Sequence, residues 1–161
     1  HRAGILDPNM KRVGLGIVKD TEGYFVVTQN FASQPLSQSD LTQTLTDLLV
    51  KAKEFRDSQG LPQLEPDDTL NAVAAEWSSR MAGEDFFATV DPAGKKLTDV
   101  VREHGVVSSI QINLAEVSDT SQLATELLKQ SAFLSRTNLK IGLGLSINEL
   151  GDLFLTVIYT P

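Results

Sequence analysis

The sequence predicts an α+β domain, a small antiparallel sheet flanked by helices. Two observations carry that expectation. From residue 41 onward the residue pattern reads helix, helix, short helix, strand, helix, strand, strand. The first 33 residues also resemble the last 33: residues 1–33 align with 129–161 at an offset of 128 without a gap.

Val13-Gly14-Leu15-Gly16-Ile17 falls on Ile141-Gly142-Leu143-Gly144-Leu145 in this alignment. Gly23 falls on Gly151, Thr28 on Thr156 and Phe31 on Tyr159. Only six of the 33 pairs are identical. They lie at turns and alternating apolar positions, where structure constrains residue type most. The expected organisation is therefore a C-terminal hairpin fragment of a preceding domain at 1–32, a linker at 33–40, and a complete domain of the same kind at 41–161.

Each element has its own signal. Residues 12–20 and 23–31 read as strands around a turn. The polar stretch 32–40, with its one proline, reads as a linker. Ser39 or Asp40 is the expected cap of a helix in which Leu41, Leu45, Leu48, Ala52 and Phe55 form one stripe. Gly60 and Pro62 end it. A second helix starts near Asp67, with Leu70, Val73, Ala74, Trp77 and Met81 on one face. Asp67-Asp68 reads as helix capping rather than a metal pair, and Trp77 as core. Asp91-Pro92-Ala93-Gly94 is a turn. Leu97 to His104 is a short helix with Val100 and Val101 inward; a His at its end suits the helix dipole. Ile110, Ile112 and Leu114 alternate as a strand. Ser118 or Asp119 caps a helix expected to run to about Ala132. Strands at 139–147 and 152–159 close the chain.

The bulk numbers exclude several classes. At 161 residues, 41% hydrophobic and 22% charged, the chain can bury a real core. Its net charge of −7 argues against nucleic acid or anionic membrane as main partner. It contains no cysteine, which removes disulfides and thiolate metal sites. No apolar stretch is long enough to span a bilayer. Gly14-x-Gly16 lies in a strand rather than at a strand-to-helix turn, so it is not a nucleotide loop.

Several segments, in order, resemble one family. His1-Arg2-Ala3-Gly4-Ile5-Leu6-Asp7-Pro8-Asn9, Val13-Gly14-Leu15-Gly16 and Thr28-Gln29-Asn30-Phe31 are similar to the C-terminal third of a bacterial CAP domain. That superfamily joins cysteine-rich secretory proteins, antigen 5 and pathogenesis-related 1 proteins. The second copy resembles a whole but degenerate domain of this kind. Its matching segments are Gly60-Leu61-Pro62-Gln63-Leu64, Leu70 to Met81, Phe86-Phe87-Ala88-Thr89 with Asp91-Pro92-Ala93-Gly94-Lys95, and Leu114-Ala115-Glu116-Val117. The resemblance implies an α-β-α sandwich.

CAP domains usually carry a polar cleft of two histidines and one or two glutamates, a donor set suited to zinc or similar ions. Carried over residue by residue, the first histidine position holds Thr89, the glutamate is kept as Glu116, and the second histidine position holds Lys129. These three are the cleft candidates. A protonated lysine is no ordinary metal ligand, and a Lys129–Glu116 ion pair is one expected way to fill the cleft. No metal site is expected in 41–161, no divalent cation or other cofactor, and no catalytic residue. His1 is the one family-type ligand present, at a terminus and without its partners.

The resemblance thus implies a non-enzymatic binding or interaction domain, extracellular or in the cell envelope, with a signal peptide upstream of His1. A protein or cell-envelope component is the expected partner. A lone hairpin is marginally stable, so the apolar residues of 1–32 need cover. They could find it on the complete domain, in a second molecule as a homodimer, or by replacing residues 129–161 in the core. The alternatives are a regulatory repeat beside a metal-dependent hydrolase-like domain, or lipid or sterol carriage.

Overall fold

The computed structural model describes residues 10–33 and 36–161. The chain forms two compact units that divide between Leu36 and Ser37.

The first unit is a two-stranded antiparallel hairpin of β1 (Met10–Lys19) and β2 (Phe25–Ser33). A bulge between Met10 and Arg12 shifts the register once. Asp20 makes the turn: its carboxylate accepts the Glu22 and Tyr24 N–H groups at 2.9 and 2.8 Å. Gly23 supplies the left-handed residue, at φ 95°.

The second unit opens with α1 (Gln38–Ser58). The cap is Ser37, ahead of the two residues the sequence pointed to. Asp40 stands three residues on, so the pair closes a reciprocal capping box. Its hydrogen bonds from Ser37 hold the Asp40 carboxyl below the usual range. A two-residue strand, β3 (Glu65–Pro66), leads to α2 (Asp68–Glu84), where the Asp67 side chain accepts the Thr69 and Leu70 N–H groups. Then come α3 (Leu97–Glu103), β4 (Gln111–Val117), α4 (Thr120–Leu128), β5 (Lys140–Ile147) and β6 (Leu153–Thr160).

The sheet order is β3-β5-β6-β4, with β3 parallel to β5 and the other pairs antiparallel. Alternation along each strand sends side chains to opposite faces. On one face Phe154 and Ile158 join a core with Leu70, Val73, Ala74, Trp77 and Met81 of α2 and Leu97, Val100 and Val101 of α3. Buried residues of α1 (Leu41, Leu48, Ala52) and α4 (Leu123, Leu127) supply the other layer. The α+β expectation and its sandwich of helices around a small sheet are what the structure shows. The short strand β3 has no counterpart in the sequence reading.

Helix α4 stops at Leu128, one turn before the expected Ala132. Arg56 holds the segment that follows. Fully buried, it donates to the carbonyls of Pro62 (2.7 Å), Phe133 and Ser135 (3.1 Å), and its guanidinium lies 5.6 Å from the Phe133 ring centre. Phe133 turns into the core beside Phe55.

Candidate functional site

The loop after α2 carries the first cleft position. Trp77 anchors it by donating its indole N–H to the Ala88 carbonyl at 3.0 Å. Asp91 holds the far end, with its side chain 1% exposed and ion-paired with Arg80 of α2. Its second oxygen accepts the Lys95 N–H at 2.7 Å. Burial pushes the Asp91 carboxyl up. The bond from Arg80 and the backbone N–H groups more than offset this, so the group sits below the usual carboxylate range. Between these anchors Thr89 is exposed, and its carbonyl accepts the Leu97 N–H that starts α3.

Glu116 lies near the end of β4, opposite Phe154 of β6. Strand alternation places it on the same sheet face as Ile112 and Leu114, the face toward α2 and α3. Its side chain is exposed and enters none of the ion pairs or side-chain hydrogen bonds among the described residues. Lys129 caps the end of α4 and is exposed. It pairs with Glu126 one turn back at 3.4 Å, not with Glu116. An i,i+3 partner on its own helix is nearer than one on the sheet. His1 lies outside the described residues. His104 caps the C-terminus of α3 with its Nδ1 at 2.9 Å from the Val100 carbonyl, a structural role.

The structure thus places Thr89, Glu116 and Lys129 on three separate elements without a bond among them. Among the described residues no group of three His, Asp or Glu side chains could hold a metal ion.

An apolar concavity lies elsewhere. A groove of about 450 Å³ runs between α1 and α2 beside β5. Leu45 and Leu49 form one wall, Ala72 and Ala75 the other, and Ile141 and Leu143 the floor. The small alanines keep it open. A second groove of about 530 Å³ is polar and lined by Gln111, Asn113, Ser131 and Ser135 among others. None of Thr89, Glu116 and Lys129 lines either groove. Sequence reasoning missed the apolar groove. The available signal was Leu49, which widens the α1 stripe beyond one helix face, opposite alanines on the outer side of α2.

A model of the cysteine-rich secretory protein family matches residues 51–159, well over half of the chain. The chain belongs to this CAP family. Comparison with curated proteins gives no match. Among solved structures, an outer surface protein from Borrelia burgdorferi is similar with a TM-score of 0.67 and 18% identity, over 75% of this chain and 94% of that one. An extracellular protein containing a SCP domain from Bacillus anthracis has a TM-score of 0.61 and 20% identity, over 86% of this chain and 46% of that one. A cysteine-rich secretory protein from Staphylococcus aureus has a TM-score of 0.57 and 16% identity, over 81% and 42%. The chain spans less than half the length of the last two. At these identities the likeness is one of fold, and the fold is that of a CAP domain. No helix among the described residues is long and apolar enough to cross a membrane.

Proposed function

We propose that residues 41–161 form a non-enzymatic CAP-type binding domain acting outside the cell or in the cell envelope, with a protein or envelope component as partner. The observation that carries this reading is the state of the three cleft positions. A threonine and a lysine stand where the family has its two histidines, only the carboxylate is kept, and the lysine is engaged with Glu126. Nothing at these positions offers a neutral imidazole for a metal or a proton transfer. The extracellular setting rests on the family and on the surface and extracellular proteins that share the fold. Residues 1–32 are read as the C-terminal hairpin of a preceding CAP domain, joined through 33–40. Isothermal titration with zinc tests the main reading. No specific heat is expected, and a tight stoichiometric site within 41–161 would overturn it.

The apolar groove between α1 and α2 favours a second reading, lipid carriage. Acyl chains should then co-purify with the protein, and Ala75→Phe, which fills the groove, should remove them. Mass spectrometry of the extracted protein reads both outcomes.

A further inference from the structure

The two hairpins of this chain match in more than sequence. Eight consecutive partners, Arg12↔Ala32 to Lys19↔Phe25, recur at the offset of 128 as Lys140↔Thr160 to Ile147↔Leu153. The turns also correspond. Asn148 Oδ1 accepts the Leu150 and Asp152 N–H groups as Asp20 accepts those of Glu22 and Tyr24. Gly23 and Gly151 have φ of 95° and 97°.

In β5 and β6 this geometry seats a helix. A Cβ on Gly142 would overlap the backbone of Leu70, and one on Gly144 the backbone of Ala74. One turn further along α2, the buried Ser78 hydroxyl sits 2.8 Å from both the Gly144 carbonyl and Thr156 Oγ1. Leu70, Ala74 and Ser78 are four residues apart, so they form one stripe along the helix. The sheet meets that stripe with two glycines and a threonine.

The hairpin β1–β2 carries the same three residues on the same face: Gly14, Gly16 and Thr28. Among the described residues of its own unit, nothing fills the space over them. A Cβ on Gly14 or Gly16 meets only hairpin atoms, at 4.0 and 3.9 Å. Beside them Val18 and Val26 are 62% and 50% exposed. Two glycines in a strand interior weaken it unless a close neighbour requires them.

We propose that the β1–β2 hairpin is a helix-docking surface whose occupant is an α-helix presenting a Leu-xxx-Ala-xxx-Ser stripe. The precedent is the interface of α2 with β5 and β6 on this same chain. The glycines admit the occupant's backbone, the alanine lies over Gly16, and the serine hydroxyl bridges the Gly16 carbonyl and Thr28. A bulkier residue at the alanine position would hold the helix off. This inference rests on the reading of 1–32 as the sheet of a second CAP domain and specifies the helix it requires.

The test titrates the ¹⁵N-labelled full chain with a peptide of residues 67–85. The peptide is cross-linked between positions 72 and 76, both exposed on α2, to hold it helical. Saturating shifts at the amides of Gly14, Gly16 and Thr28 are expected. Binding should weaken about tenfold or more with Gly16→Leu in the chain or Ala74→Leu in the peptide. In the free hairpin Gly16→Leu meets no backbone, so the chain should fold unchanged. Binding that ignores both substitutions would overturn the proposed seat and leave the hairpin's membership standing. A monomeric chain that shows no hairpin shifts would overturn the docking surface. Self-association through β1 and β2, unaffected by the peptide, would overturn both, since the occupant would then be a second copy.

Discussion

The backbone of Ala74 rests directly on Gly144, leaving no room for a methyl group between helix and sheet. Their contact sets how close α2 lies to β5.

Gly144→Ala should therefore be costly. The clash is with backbone, which a rotamer change cannot relieve, so a loss of about 3 kcal/mol is expected in denaturant unfolding. Its counterpart Gly16→Ala meets only ordinary contact in the hairpin and should change stability by less than about 0.5 kcal/mol. Equal costs at the two sites would contradict the structural difference between them.

Arg56 is the largest polar commitment in the core. Arg56→Met keeps much of the volume but strips hydrogen bonds from three carbonyls, two of them in the segment after α4. Unfolding should be easier by about 3 kcal/mol. Hydrogen exchange should rise first around Phe133 and Ser135. A neutral substitution would mean that water replaces the guanidinium at no cost.

The Arg80–Asp91 pair gives the domain an acid-sensitive brace. The folded carboxyl has the lower pKa, so the unfolded chain binds more protons between the two values, and stability rises with pH there. The contribution is complete above about pH 4, the ordinary carboxylate range, and is lost as pH falls through the folded pKa. Asp91→Asn should lower the melting temperature at pH 7 and show a smaller difference from wild type at pH 2–3, about the acid end of the carboxylate range. A pH-independent difference would assign the loss to packing.

Much of this fold is legible in residue spacing. The Leu70–Val73–Ala74–Trp77–Met81 stripe is the core face of α2, and Gly60 with Pro62 marks the end of α1. What escaped depends on long-range partners. Arg56 looks like any charged helix-end residue until Pro62, Phe133 and Ser135 surround it. The resemblance and the 128 offset single out Thr89, Glu116 and Lys129 as expected cleft positions, but the choice of Glu126 over Glu116 as partner for Lys129 depends on where α4 ends. The apolar groove arises from alanines on α2 facing leucines on α1, a juxtaposition that no single helix pattern contains.

The disarmed cleft is the central claim, and amide chemical-shift mapping of the full chain during a zinc titration tests it most directly. Zinc should leave the amides of Thr89, Glu116 and Lys129 unchanged, and Glu116→Gln should leave the titration as it is. Saturable shifts centred on these residues at one zinc per chain, abolished by Glu116→Gln, would contradict the account.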